Sequence, residues 1–304
     1  MELGRILTAM VTPMRADGSV DLEQAKRLAA AIIDCGSDGV VLAGTTGESP
    51  TLEFEEEREL FGQLLPVCHE HGGVLIAGTG SNSTRTAVES SERAQEIGVD
   101  GLLQVVPYYN KPSQEGMYQH FRAVAEAVDV PIILYNIPSR TGINMSAETQ
   151  LRLAHDLANI VGTKEATGDL ELAVQIIDGA PDGFRVWSGD DANTLPLMSV
   201  GGYGVVSVLA HLVGGQIRAM VDAFVAGRVE EASRLHRQLL PVTKAMFLTS
   251  NPTPVKWALN HIGFEVGPPR LPLVEPPVEI QAQIIAELNQ VQIDLPLPAA
   301  SEAR

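Results

Sequence analysis

Lysine is scarce in this chain, and one copy stands where a charge is costly. Of Lys26, Lys111, Lys164, Lys244 and Lys256, only Lys164 ends a buried apolar run, Asn159–Lys164 (NIVGTK). A cationic amine taken out of water needs either an ion pair or a function. Its neighbour Glu165 is badly placed as the partner, because adjacent strand residues point to opposite faces. The chemical alternative is a Schiff-base nucleophile. A lysine with an ordinary pKa near 10.4 is neutral in about one molecule per thousand near pH 7.4, so a pKa roughly three lower would make it mostly nucleophilic. From the residues alone, nucleophile and structural ion pair both stay open.

Other groups suited to chemistry follow similar apolar runs. Thr45 and Thr46, flanked by Gly44 and Gly47, form a turn whose exposed N–H groups could bind a carboxylate or phosphate. An ordinary strand-to-helix turn is the plainer reading. Tyr135 ends a run and could relay a proton, or be a buried tyrosine with a satisfied hydroxyl. Arg140, in Pro138-Ser-Arg-Thr-Gly142, suits bidentate carboxylate binding or an unremarkable surface loop.

The elements that must position these groups are legible as eight short runs. They are Ile6–Val11, Gly39–Gly44, Val74–Gly78, Gly101–Val106, Pro131–Asn136, Asn159–Lys164, Phe184–Gly189 and Tyr203–Val208. Their apolar character is continuous rather than alternating, the mark of parallel strands covered on both faces. Helical periodicity fills the gaps: Lys26–Ile33, Glu53–Leu65, Ser83–Ile97, Gly116–Val128, Ser146–Leu157, Leu170–Gly179, Asp191–Val200 and Gln216–Phe224. Eight alternations predict an α/β fold, a (β/α)8 TIM barrel, whose chemistry collects at the C-terminal ends of the strands. An open doubly wound sheet is the competitor, weakened by the lack of a nucleotide fingerprint. Beyond Gly227, helical segments at Glu230–Leu240, Thr243–Leu248, Val255–Ile262 and Glu275–Val291 are separated by proline-rich breaks. The expected division is a catalytic barrel over 1–227, a small all-helical domain over 228–294 and a frayed tail over 295–304.

Composition narrows the function. The 304 residues are 45% hydrophobic and 19% charged, enough to build a large core. A net charge of −17 argues against nucleic acid or an anionic membrane as partner. Cys35 and Cys68 have no companion at metal-ligand spacing, and two cysteines do not make a disulfide framework. No secretory pattern opens the sequence, and the most apolar stretch, Gly204–Val213, is about half the ~20 residues of a membrane span. A soluble, cytoplasmic protein is expected. Several patterns carry no chemistry: Gly78–Ser83 (GTGSNS) lacks the third glycine and acidic partner of a dinucleotide site, His69-x-His71 reads as a solvated loop, and the scattered histidines suggest no metal site.

Eight ordered motifs together are more specific. They are GTTGES (Gly44–Ser49), AGTGSNST (Ala77–Thr84), PYYNKPSQEGMYQHF (Pro107–Phe121), YNIPSRTG (Tyr135–Gly142), GTKEATGDL (Gly162–Leu170), SGDD (Ser188–Asp191), GVVSV (Gly204–Val208) and NPTPVK (Asn251–Lys256). With them the chain resembles the dihydrodipicolinate synthase family, pyruvate-dependent Schiff-base aldolases of lysine and diaminopimelate biosynthesis, over all but its tail. The resemblance implies a lyase that condenses pyruvate with L-aspartate-4-semialdehyde, without metal or organic cofactor, in a homotetramer built as a dimer of dimers. It implies that Lys164 forms the imine and that the Thr45–Thr46 turn holds the pyruvate carboxylate. Tyr135, Thr46 and Tyr109 would be the proton relay, with Tyr109 reaching in from a neighbouring subunit. Arg140 would bind the semialdehyde carboxylate, and Gly189 and Val206 would contact substrate through their backbones.

Two departures from the family pattern bear on regulation and on the barrel. Feedback-inhibited members carry histidines on the helix after GTTGE and a glutamate after GTGSN in their lysine-binding cleft. Phe54, Glu57 and Thr86 stand there in this chain, although Ser49, Asn82 and Tyr108 of a possible effector cleft remain. Weak or absent inhibition by L-lysine is expected. His211 replaces an asparagine common after the SV motif, with little catalytic effect expected so far beyond the strand end. Two other functions compete: another pyruvate-dependent aldolase or lyase acting on N-acetylneuraminate or a 2-keto-3-deoxy sugar acid, and a catalytically silent ligand-binding barrel. A silent barrel has no need of Lys164, Tyr135, Thr46, Tyr109 and Arg140 together.

Overall fold

A computed structural model describes residues 3–297, whose eight strands pair in parallel, in chain order, into a closed barrel. The strands are β1 (Ile6–Ala9), β2 (Gly39–Leu42), β3 (Val74–Gly78), β4 (Gly101–Val105), β5 (Ile132–Asn136), β6 (Ile160–Glu165), β7 (Arg185–Ser188) and β8 (Gly204–Ser207). Nearly every strand residue is buried, as strands covered on both faces require. Between them lie α1 (Leu22–Asp34), α2 (Phe54–Glu70), α3 (Thr84–Ile97), α4 (Gln114–Ala127), α5 (Pro138–Thr141), α6 (Ala147–Asp156), α7 (Leu170–Gly179) and α8 (Thr194–Ser199). After β8 come α9 (Ala210–Val225), α10 (Val229–Ala245), α11 (Thr253–His261) and α12 (Val278–Leu288). Short polar side chains start the helices: Asp21, Ser83, Ser113, Ser146 and Asp169 each accept a bond from a backbone N–H of the first turn.

Several helices depart from the sequence expectation. The segments expected at Glu230–Leu240 and Thr243–Leu248 form one helix, α10, straight through Pro241. Proline removes one N–H, but Leu239, Val242 and Ala245 share a buried face that keeps the helix on course. Helix α2 likewise continues past Pro66 on its buried stripe of Leu60, Phe61, Leu64 and Cys68. His69 is therefore helical, and His71 caps the helix and pairs with Asp34 at 2.7 Å instead of sitting in a solvated loop. Asp191–Val200 splits into a single 3-10 turn, Asp191–Asn193, followed by α8.

The chain forms two compact units: the N-terminal residues to Arg5 with Leu75–Val206, and Ile6–Val74 with the chain from Ser207. In the first, Trp187 is fully buried on β7, donates its indole N–H to the Gly4 carbonyl at 3.0 Å and meets Tyr203 edge-on. Ala173, Ile176, Val186 and Leu197 fill the space between α7, β7 and α8. In the second unit, α9 packs against α1, α10 and α11, and α12 packs on α10 and α11. Leu295, the first residue of the expected tail, is buried there and its N–H reaches the Leu212 carbonyl at 3.4 Å. Residues 298–304 of that tail lie outside the described residues. No described helix is long and apolar enough to cross a membrane.

His211 is wholly buried at the start of α9, and its hydrogen bonds fix its tautomer. Nε2 accepts the Val11 N–H at 3.0 Å, so Nδ1 must carry the proton that it gives to the Val208 carbonyl at 2.7 Å. Burial lowers its pKa to about 4. Below its ordinary value of 6.5 the unfolded chain takes up a proton that the folded ring refuses, so this stabilising term is complete above pH 6.5 and fades down to about pH 4. His211→Asn should therefore destabilise the protein more at pH 7 than at pH 4.5. The gap between the two should be about 2.5 kcal/mol in urea melts at 1.36 kcal/mol per pH unit. A gap near zero would show that the folded ring takes up its proton as readily as the unfolded one.

Candidate active site

Lys164 is the penultimate residue of β6, as Tyr135 is of β5 and Val206 of β8. Tyr135 and Lys164 are register partners, so their side chains leave the same face of the sheet side by side. The Lys164 amine lies 4.0 Å from the centre of the Tyr135 ring, and each residue is 5% exposed. Burial brings the amine down from an ordinary 10.5 to about 7; the Asp191 carboxylate opposes that fall and the Arg140 guanidinium assists it. A buried lysine near pKa 7 is neutral about half the time at physiological pH and attacks carbonyl carbon readily.

The opposite face of the same two strands explains how this pair is held. Asn136 and Glu165 follow Tyr135 and Lys164 and are themselves register partners. The buried Glu165 carboxylate accepts from Asn136 Nδ2 at 3.1 Å, from Gln150 Nε2 at 3.3 Å and from the Thr167 N–H at 3.0 Å. Asn136 Oδ1 in turn accepts from the Met145 N–H at 3.1 Å. Glu165 is thus turned away from the amine, and the network locks the β5–β6 register on which the Tyr135–Lys164 contact depends. Gly189 follows β7; a Cβ there would sit 2.6 Å from Ala166 Cβ and 3.2 Å from Lys164 Cε, so only glycine leaves the amine its place. Arg140 lies in the last turn of α5, entered through Pro138 and closed by Gly142 at φ +74°.

Thr45 and Thr46 follow β2 in the other unit. Thr46 is buried, and its Oγ1 accepts from Asn251 Nδ2 at 2.8 Å, which leaves its own hydroxyl proton free to donate. Thr45 is half-buried. Tyr109, after β4, sits in a three-residue turn closed by the Asn110 N–H on the Tyr108 carbonyl at 2.8 Å, with φ +72°. That conformation is strained for a residue with a side chain, yet the ring is 89% exposed. Of the possible effector residues, Ser49 donates to Glu57 at 3.4 Å, and Asn82 accepts from Asn110 Nδ2 through its carbonyl at 2.8 Å. Tyr108 is partly exposed. Among the described residues, no group of three or more histidine, cysteine or acidic side chains could hold a metal ion.

A family model described as the dihydrodipicolinate synthetase family matches residues 2–291. The chain belongs to that family. The 4-hydroxy-tetrahydrodipicolinate synthase of Moorella thermoacetica is 58% identical over 290 residues, which are 95% of this chain and 99% of that protein. Among solved structures, a dihydrodipicolinate synthase from Cyanidioschyzon merolae with lysine bound matches with a TM-score of 0.94 at 47% identity, covering 95% of this chain and 98% of that one. The chloride-inhibited enzyme from Acinetobacter baumannii complexed with pyruvate matches at a TM-score of 0.91 and 39% identity, covering 95% and 99%. Dihydrodipicolinate synthetase family members are lyases built on the TIM barrel, the architecture that the sequence predicts for this chain.

Sequence reasoning misses one residue that acts on the Lys164 amine. Asp191 was only the last letter of SGDD, yet it is 7% exposed and is the carboxylate that acts on the Lys164 amine. Its signal is an acidic residue three positions past the end of β7, on the rim where strands end and carboxylates are seldom buried without a role.

Proposed function

We propose that this chain is a 4-hydroxy-tetrahydrodipicolinate synthase, condensing pyruvate with L-aspartate-4-semialdehyde through a Schiff base on Lys164. The observation that carries the reading is the buried Lys164 amine, brought to a pKa of about 7 against the Tyr135 ring. The neutral amine adds to the pyruvate C2 carbonyl, and water leaves as the iminium forms. The iminium draws electrons from the methyl group, which loses a proton and attacks the aldehyde carbon of the second substrate. The aldehyde oxygen takes up that proton and becomes a hydroxyl. The semialdehyde's own amine then displaces Lys164 from C2 and closes the ring.

The Thr45–Thr46 turn receives the pyruvate carboxylate in this reading, and Arg140 receives that of the semialdehyde. Gly189 and Val206 meet the substrates with their backbones. Tyr135, Thr46 and Tyr109 carry protons as a chain of hydroxyls, which strands no charge. Tyr109 comes from a neighbouring subunit: an aromatic ring this exposed on a strained backbone is what a partner would cover, and it supports a homotetramer assembled as a dimer of dimers. Two buried cysteines outside any disulfide fit a cytoplasmic setting.

Borohydride reduction in the presence of pyruvate, with mass mapping of the modified residue, tests the imine. A coupled assay with aspartate semialdehyde tests the second substrate. Label on Lys164 without turnover would move the chain to the sugar-acid aldolases; no label would leave a binding barrel. Inhibition by L-lysine should be weak or absent. Glu57 stands where the inhibited relatives have a histidine, and burial raises its carboxyl to about 7. Half-inhibition at sub-millimolar lysine would overturn that expectation.

A further inference from the structure

The Thr45–Thr46 turn is gripped by residues more than two hundred positions away. Lys256 on α11 is fully buried, and its ammonium donates to Glu48 Oε1 at 2.7 Å and to the carbonyls of Thr12 and Pro268, each at 2.9 Å. Three donors and three acceptors leave no proton unused. The other oxygen of the buried Glu48 accepts the Arg270 N–H at 2.8 Å. Glu48 itself is at φ +59°, a left-handed conformation that only its surroundings can impose on a residue with a side chain.

The turn hangs from this pair. The Glu48 N–H donates to the Thr45 carbonyl at 3.1 Å, and the Ser49 N–H to that of Gly44 at 3.2 Å. Thr12, whose carbonyl takes one Lys256 proton, sends its hydroxyl to the Gly47 carbonyl at 2.7 Å. Asn251, at the entry to the same helix, holds the Thr46 hydroxyl at 2.8 Å. Stability does not account for so complete an arrangement, because a buried ion pair can generally be exchanged for apolar residues without loss.

We propose that Lys256 and Glu48 are positioning residues for pyruvate: the pair fixes the Thr45–Thr46 turn so that its N–H groups are aimed before the substrate carboxylate arrives. This rests on reading the turn as the carboxylate site. Neither side chain touches substrate. A turn already ordered spares the ligand the entropy of ordering it, so the effect belongs to pyruvate binding rather than to the chemical step.

The test compares wild type with Lys256→Met, Glu48→Gln and the double variant. Wild type is first trapped with pyruvate and borohydride. Failure to label it would sink the assignment of the turn's ligand and leave the grip itself to be read by hydrogen exchange without substrate. In Lys256→Met, exchange at Thr45–Ser49 should quicken about tenfold and pyruvate KM rise about tenfold, with kcat within roughly threefold and the aldehyde KM unchanged. The double variant removes the unpaired buried charge, so its melting temperature should return toward wild type while pyruvate KM stays raised. Recovery of KM together with melting temperature would make the pair merely structural and overturn the proposal. So would unchanged exchange and KM in either folded single variant. If Lys256→Met does not fold, Glu48→Gln decides alone, by the same two readouts.

Discussion

Lys164→Met is expected to abolish trapping by pyruvate and borohydride and to lower turnover about 10^3-fold or more, because it removes the amine proposed to form the imine. The same substitution should make the protein more stable at neutral pH. The amine's pKa falls from 10.5 unfolded to about 7 folded, so between those values the unfolded chain holds a proton that the folded one has given up. The penalty on folding is absent above pH 10.5, grows as pH falls and is complete below about pH 7. It amounts to roughly 5 kcal/mol at 1.36 kcal/mol per pH unit. Methionine fills nearly the same volume and carries no charge, so most of that penalty should vanish. A variant that is dead and melts higher would match both parts. A dead variant that melts lower would mean that the amine is charged and paired in the folded protein. In wild type the rate of imine formation should rise with pH and reach half its maximum near pH 7, where the amine loses its proton.

The residues that the sequence exposed and those it hid differ in a physical way. Strands β1 to β8 were legible because a short strand buried on both faces has almost no alternative to continuous apolar character. Lys164 was legible for the complementary reason: a charge at the end of such a run contradicts its surroundings. Its neighbour's role was legible in part, since strand alternation turns Glu165 away from the amine, but the Asn136 and Gln150 amides that hold it were not. Asp191 acts on the amine from a single 3-10 turn after β7, and nothing in the residue pattern distinguishes that turn from the start of a helix. The residue pattern offers no role for Lys256, because its partner Glu48 lies 208 positions earlier. Contacts of that span follow from the closure of a fold, which local periodicity does not encode.

Tyr135→Phe separates the amine from the proposed proton relay. Phenylalanine keeps the ring beneath the Lys164 amine and the packing of β5, so the amine's burial and its pKa near 7 should survive. Only the hydroxyl is lost. Each stage of the condensation moves a proton: water must leave the first adduct, the methyl group must be deprotonated, and the aldehyde oxygen must be protonated. A hydroxyl placed to pass those protons is worth roughly 10^2 to 10^4 in rate. Turnover of Tyr135→Phe should fall by that factor, while long incubation with pyruvate and borohydride still labels Lys164 completely. Loss of labelling at every time point would instead place Tyr135 among the groups that hold the amine in its neutral state. Full turnover in the variant would remove the hydroxyl from the proton path, and Thr46 with Tyr109 would then have to carry it alone.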